Sequence, residues 1–171
     1  MMGLAKMTPD GWAYYAEEIA LGEDYFVGHG DEPGRWVGRG AAALGLSGDV
    51  TSDALSLLFG QGRHPSTGEA LGHLFPKNGA VPVAGYAISF SPPKSVSILW
   101  ALGDETTARL VREAHDAAVD SALGFLQDHA SFTRRGRGGA IQADTDGYVA
   151  AAFTHRTSRA GDPQLHTHLL T

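Results

Sequence analysis

The order of the sequence patterns predicts an α+β fold, in which helices pack against an antiparallel sheet that carries a group of histidines. From Asp104 to Asp128, apolar residues recur about once per helical turn, as in a helix with one buried face. Three shorter segments follow, at about 139–143, 147–155 and 165–171, and they have the residue types of strands. Turn residues separate these strands closely, which favours antiparallel pairing.

The first half of the chain is predicted to hold two helices between irregular segments. Thr-Pro-Asp at 8–10 has the residue types of a helix start, and this helix is predicted to end at Leu21. Residues 27–50 are rich in glycine and are predicted to form a loop. A short helix is predicted over residues 52–59, and residues 61–80 are polar and irregular.

A strand and a shorter helix are predicted before the long helix. Residues 83–90 have strand character, and Ser91, which two prolines follow, is predicted to cap a helix that contains Val96 and Leu99. The glycines and arginines of residues 134–139 are predicted to form a loop. The apolar residues predicted to form the buried stripe of the long helix are Val111, Ala114, Ala118, Ala122 and Phe125.

Composition narrows the classes of function that the chain can have. The 171 residues suffice for one domain, and the absence of cysteine excludes disulfides and thiolate metal sites. A bound transition metal would therefore have histidine, aspartate or glutamate ligands. The chain lacks both an apolar run of roughly 20 residues and a signal peptide, which predicts a cytoplasmic protein. The net charge of −6 argues mildly against nucleic-acid binding without excluding it, because the arginines are clustered.

The clearest chemical pattern is His155 followed by His166 and His168. Side chains alternate along a strand, so His166 and His168 are predicted to project from one face. The turn residues Gly-Asp-Pro at 161–163 allow the chain to fold back and bring His155 beside them. Three imidazoles can hold one divalent cation and leave positions open for a substrate oxygen. A solvated strand face or a cupin-like metal site fits the same spacing.

Tyrosines near the N-terminus form the second candidate group. On the predicted first helix, Tyr15 shares a face with Trp12 and Ile19 and is expected to be buried, whereas Tyr14 is expected to be exposed. A phenol with a pKa of about 10 is a weak nucleophile at neutral pH. A nearby metal can assist its attack on a phosphate by stabilising the developing charge. An exposed tyrosine alone commonly has no catalytic role.

Four ordered segments, which together span nearly the whole chain, carry a family resemblance. The segments are Tyr14-Tyr15 with Tyr25, Trp36 to Gly40 with Leu44 to Gly48, Ser89 to Ser97, and His155 to Arg159 with Asp162 to His168. In this combination the chain resembles the conjugative relaxases of the MobF group, the TrwC/TraI type of HUH endonuclease. The resemblance implies a relaxase/Rep-like palm, with residues 1–171 as the N-terminal part of a nicking domain that is incomplete at its C-terminus.

The resemblance also implies an activity, a cofactor and partners. The activity is nicking of one DNA strand by metal-assisted tyrosine transesterification, with a 5′-phosphotyrosyl intermediate. The implied cofactor is a divalent ion, either Mg²⁺, Mn²⁺ or another transition ion, and its implied ligands are His155, His166 and His168. The implied partners are single-stranded DNA at a transfer origin and other conjugation proteins.

Roles for the tyrosines and for several cations follow from the same resemblance. It implies Tyr14 as the first nucleophile, Tyr25 as the candidate for a second transfer and Tyr15 as an alternative. The cations expected to contact DNA are Arg159, Arg156 and Lys94.

One position departs from the family pattern. An aspartate is expected two residues before the Ser or Thr that precedes the Phe-Ser segment, and Ala87 stands there, two residues before Ser89. An alanine can neither orient a metal-binding histidine nor help to activate a tyrosine. An alternative interpretation is therefore a degenerate or truncated relaxase that acts only as a metal- and single-stranded-DNA-binding module. A metalloenzyme of cupin type that ignores DNA is a further alternative.

Overall fold

A five-stranded antiparallel sheet forms the centre of the computed structural model, which describes residues 1–15, 33–71, 81–158 and 160–171. In spatial order its strands are β1 (Met2–Met7), β3 (Gly85–Phe90), β7 (Pro163–Leu170), β6 (Ala150–Thr157) and β2 (Arg35–Val37). A separate hairpin consists of β4 (Phe132–Arg135) and β5 (Ile141–Asp144). The predicted α+β class with an antiparallel sheet is confirmed.

Helices accompany the sheet along the whole described chain. They are α1 (Arg39–Ala43), α2 (Ser52–Leu55), α3 (Lys94–Leu102) and α4 (Glu105–Ala130). A π-helical turn (Ser56–Gly60) continues α2, a 3-10 turn (Arg137–Gly139) follows β4, and residues 12–15 are helical as well. Within the described ranges, no helix has the length and apolar character needed to cross a membrane.

The two faces of the sheet are covered by different elements. The front face packs against the helical segment 52–60 in an apolar cluster of Met7, Leu55, Phe59, Ala87, Ala151, Phe153 and Leu170. The back face packs against α4 in a second cluster of Ile88, Val119, Leu123, Ala152 and Leu169. Because side chains alternate along each strand, neighbouring residues such as Ala87 and Ile88 belong to opposite faces.

Helix α4 confirms the predicted long helix, but the predicted buried stripe is wrong by about one residue. Asp104 caps the helix by accepting a hydrogen bond from the Thr107 amide at 2.8 Å. Phe125 of the predicted stripe is 62% exposed. The buried residues of α4 are His115, Val119, Leu123 and Gln127. The prediction failed because it followed apolar residues alone, whereas the buried face begins and ends with polar side chains.

Short elements account for the other errors. The predicted loop over residues 27–50 contains β2 and α1, and the predicted loop over residues 134–139 begins inside β4. Strand β1 was not predicted at all, because it lies at the sheet edge with Met2 and Leu4 exposed and shows no clear apolar alternation. Strands of this length depend on their tertiary partners more than on their own sequence.

Helix starts were predicted with mixed success. Helix α3 begins after Pro93, and the Ser91 amide donates to the Met1 carbonyl at 2.9 Å, so the predicted Ser91 cap is wrong. The predicted helix over residues 52–59 and the predicted strand over residues 83–90 are confirmed with small shifts at their ends. Helical structure at residues 12–15 confirms part of the first helix, but residues 9–11 form a turn, so the predicted start at residues 8–10 is wrong. Residues 16–21 lie outside the described ranges.

A glycine turn joins β2 to α1 and holds both against the start of β6. Gly38 adopts a φ of 92°, a left-handed value that favours glycine. The Gly40 amide donates to the Tyr148 carbonyl at 3.0 Å, so the backbone of α1 lies directly on residue 148. A Cβ atom on Gly40 would lie 2.7 Å from the Tyr148 carbonyl carbon, which is too close for either backbone to tolerate without moving.

We expect Gly40→Ala to destabilise the chain by about 1–3 kcal/mol, because the added methyl group forces two backbone segments apart. Gly124→Ala is the matched control, since a Cβ atom there meets nothing within 4 Å. It should stabilise α4 by about 0.5–1 kcal/mol. Urea unfolding of both variants measures the difference, and equal effects would contradict the described contact at Tyr148.

Candidate metal centre

Pairing of β6 with β7 brings the three predicted histidines together on the front face. His155 lies directly opposite His166, and His168 lies opposite Phe153, which belongs to the front-face cluster. The ring centre of His155 lies 5.2 Å from that of His166 and 5.4 Å from that of His168. The rings of His166 and His168 are 5.0 Å apart. The predicted convergence of three imidazoles is therefore present in the structure.

The cluster lies where the packed core meets solvent. His155 is 6% exposed, whereas His166 and His168 are half-buried. The Nδ1 atom of His166 lies 2.9 Å from the Gln164 carbonyl oxygen, which can only accept, so Nδ1 carries the hydrogen. This hydrogen bond fixes the tautomer in which Nε2 has a lone pair, as is usual for a metal-binding histidine.

Ring spacing fits a shared ion. With metal–nitrogen bonds of about 2.1 Å, ligands at roughly tetrahedral angles place their ring centres about 5 Å apart. In the part of the chain that the structure describes, no three His, Cys, Asp or Glu side chains already hold their donor atoms in a metal-binding arrangement. The ring orientations would therefore have to adjust. Rotation of a histidine ring about its Cβ–Cγ bond is soft, so the spacing, which backbone register determines, is the stronger observation.

The tyrosine pair lies against this cluster. The ring of Tyr15 is 5.0 Å from that of His168 and also packs on the front-face core, whereas Tyr14 is 43% exposed. Tyr14 meets Tyr15 edge to face, with ring centres 5.1 Å apart. The predicted difference in burial between the two tyrosines is confirmed. Tyr25 lies outside the described residues.

The candidate DNA-binding cations differ in their surroundings. Lys94 forms an ion pair with Asp162 and donates to the Pro163 carbonyl at 2.7 Å, so its ammonium group is engaged by the loop before β7. Arg156 follows His155 at an irregularity in the pairing of β6 with β7. Arg159 lies outside the described residues. The DNA contacts of all three remain predictions.

Ala87 lies on the same face as the histidines. It pairs with Leu170, and Ser89 pairs with His168, so Ala87 is diagonal to His168 across β3 and β7. It is 6% exposed within the front-face cluster. A longer polar side chain at this position would therefore be buried in apolar surroundings, close to the edge of the histidine cluster.

A buried hydrogen-bond network lies directly behind the histidines, on the back face of the sheet. The Nε2 atom of His115, on α4, is 2.9 Å from Oγ1 of Thr167, which in turn is 2.9 Å from Oγ1 of Thr154. Thr167 stands between His166 and His168 in sequence but faces the opposite side. Sequence reasoning missed these residues, although His115, Val119, Leu123 and Gln127 recur at four-residue spacing and so share one helical face.

The sequence of this chain is similar to those of known conjugation proteins. A family model described as TrwC relaxase matches residues 8–171. The multifunctional conjugation protein TraI of Escherichia coli (strain K12) is 38% identical over 170 residues, which cover 98% of this chain and 9% of TraI.

Solved structures of the conjugative relaxase TrwC in complex with oriT DNA have a similar fold. A metal-bound structure matches with a TM-score of 0.79 and 29% identity over 99% of this chain and 56% of that chain. A copper-bound structure matches with a TM-score of 0.77 and 32% identity, with the same coverage. This chain thus spans about half the length of the solved TrwC chains and about a tenth of TraI.

Acid should destabilise the chain partly through His115. Burial is the main reason that the pKa of His115 is lowered from 6.5; Arg112 and His166 also lower it, and Asp116 opposes them. The unfolded chain therefore binds this proton first, so the stability that neutral His115 contributes above about pH 6.5 is lost as pH falls towards the folded pKa. Comparing urea midpoints at pH 7.5 and pH 5 should show a smaller decrease in His115→Gln than in the wild type. An equal decrease would contradict this origin.

Proposed function

Because the chain belongs to the TrwC relaxase family, we propose that it nicks one strand of DNA at a transfer origin and remains joined to the new 5′ end. The observation that carries this proposal is the meeting of three imidazoles and a tyrosine pair on the front face of one sheet. The imidazoles suit a divalent cation, and the exposed tyrosine suits attack on a phosphate.

Tyr14 is the proposed first nucleophile, because its ring is exposed and packs against Tyr15, which in turn contacts His168. Its phenol oxygen loses a proton and forms a bond to the scissile phosphorus, while the bond from phosphorus to the 3′ oxygen breaks. The 3′ oxygen takes up a proton and leaves as a hydroxyl. The product is a phosphodiester to tyrosine, so the strand can be rejoined without ATP. Tyr15 is the alternative nucleophile, and Tyr25 is the proposed nucleophile of a second transfer.

His155, His166 and His168 are the proposed ligands of a divalent metal ion. When bound, the ion would polarise the scissile phosphate and stabilise the charge that develops on it. Neutral imidazoles suit several transition ions, and Mn²⁺ or Mg²⁺ is compatible where phosphate oxygens complete the coordination. The existence of metal-bound and copper-bound structures of TrwC with oriT DNA supports a metal ion as the cofactor.

Single-stranded DNA at a transfer origin is the proposed substrate, and other conjugation proteins are proposed partners. The chain carries a net charge of −6, so attraction to phosphate must come from local cations. Arg156, Arg159 and Lys94 are proposed for this role. Lys94 would have to exchange its ion pair with Asp162 for a phosphate contact.

A second candidate function is supported by Ala87. Ala87 lies in the front-face cluster, at the position where the family pattern has an aspartate. Because alanine has no carboxylate, residue 87 cannot assist the histidines or the tyrosine. The chain would then bind metal and single-stranded DNA without cutting. The cupin-type alternative has no comparable support, since the chain belongs to a relaxase family.

Covalent capture separates cutting from binding. An oligonucleotide that contains the chain's own transfer origin, incubated with the wild type and Mn²⁺, should yield a band that persists on a denaturing gel. Tyr14→Phe should abolish this band, because it removes the attacking oxygen. Tyr86→Phe is the matched control, since Tyr86 is 43% exposed like Tyr14 but lies on β3. It should leave the band unchanged.

Three outcomes would change the account of cutting. A band that survives in Tyr14→Phe and disappears in Tyr15→Phe or Tyr25→Phe would move the first transfer to that tyrosine. Loss of the band in Tyr86→Phe would mean that the gel reports folding rather than attack. Retention of DNA binding with no band from the wild type would favour the binding module.

Ala87→Asp should restore a carboxylate beside the histidines. We expect metal affinity or nicking rate to rise by about 10- to 100-fold, the usual weight of a group that orients a metal-binding histidine. Without metal the same variant should be less stable than the wild type, because its carboxylate is buried among apolar groups. Ala87→Asn has the same shape without the charge, and metal titration with each variant makes the comparison. An equal gain in Ala87→Asn would refute the proposed role of the carboxylate.

A further inference from the structure

The buried hydrogen-bond network of His115, Thr167 and Thr154 joins α4 to both strands that carry the histidines. His115 is 8% exposed and Thr167 is 1% exposed, and Thr154 is half-buried. Burying polar groups costs free energy unless each one has a partner. Here the two contacts of 2.9 Å supply partners on the back face of the sheet, so the chain of hydrogen bonds is compatible with a packed interior.

The position of this network in the strand register links it to the metal centre. Thr154 and Thr167 pair directly with each other, and the next pair along the two strands is His155 with His166. A register shift lies immediately beyond, between His155 and Thr157. The threonine pair thus lies between the Phe153–His168 pair and the His155–His166 pair, which is the last regular pair before the irregularity. A strand that slips by one residue presents its other face, so pairing at this point determines where the imidazoles project.

We propose that His115 is a positioning residue of the metal centre, which acts through Thr167 and Thr154 to hold the two histidine-bearing strands in register and against α4. The inference rests on the proposed metal-binding function. His115 itself does not contact the ion. It limits the movement of β7 relative to β6, and so keeps three ligands at the spacing that one ion requires.

Co²⁺ titration of the 171-residue chain, followed by its visible absorption, tests this inference. Thr167→Val removes the central hydroxyl without changing the shape of the side chain, and His115→Leu removes the helix partner. Each should weaken Co²⁺ binding about 10-fold or more. His115→Gln, which retains a hydrogen-bond donor, should recover most of the affinity.

Gln127→Leu provides the matched control. Gln127 is the other buried polar residue on the same face of α4, and its Oε1 accepts from the amides of Arg39 and Tyr148, which do not belong to β6 or β7. This variant should lose stability in urea yet bind Co²⁺ with the affinity of the wild type. Amide hydrogen exchange at Thr154 and Thr167 should accelerate in Thr167→Val and His115→Leu but not in Gln127→Leu.

The outcomes distinguish this inference from the function on which it rests. Wild-type affinity in both Thr167→Val and His115→Leu would overturn the positioning role and leave the metal centre intact. Equal losses of affinity in Gln127→Leu would also overturn it, since the effect would then follow stability alone. A wild-type chain that binds no Co²⁺ would overturn the metal centre, and with it this inference.

Discussion

The antiparallel pairing of β6 with β7 is the contact on which the rest of the structure depends. One register places His155 opposite His166 and Thr154 opposite Thr167, so a single alignment creates the imidazole cluster in front and the hydroxyl contact behind. Strand β7 is also flanked by β3, and its Leu165 amide donates to Ser97 of α3 at 3.1 Å. Because β7 is paired with a strand on each edge and hydrogen-bonded to α3, its side chains have little freedom to change face.

The candidate centre extends from the buried core to the surface of the protein. His155 is buried and lies beside the front-face core, whereas His166 and His168 are half-buried and reach the surface. Ligands that project from paired strands keep their spacing more precisely than ligands on loops. The tyrosine pair lies beside the histidine cluster, with Tyr15 between His168 and the exposed Tyr14.

Sequence patterns predicted the site better than the elements around it. The alternation of His166 and His168, and the helical positions of Tyr14 and Tyr15, follow from local geometry that tertiary packing does not change. The position of His155 followed from the turn before Pro163, because a hairpin leaves only one strand for it to join. Long elements such as α4 were also predicted correctly, since many turns of one helix share one pattern.

Packing decided the parts that sequence patterns did not predict. The edge strands β1 and β2 and the hairpin strand β4 are short, and each is defined by its partner rather than by its own residues. The buried face of α4 contains His115 and Gln127, which a search for apolar residues passes over. Their burial depends on partners that are 52 and 88 residues away in sequence, Thr167 and Arg39. No local pattern contains that information.

X-ray absorption of the Co²⁺-loaded chain tests whether the three histidines share one ion, because it counts the imidazoles around the metal. We expect a shell with three imidazole nitrogens at about 2.1 Å in the wild type. We expect two in His168→Ala, since the other two ligands belong to the His155–His166 pair. An all-oxygen shell, or an imidazole count that His168→Ala leaves unchanged, would contradict the claim that the pairing of β6 with β7 builds the metal centre.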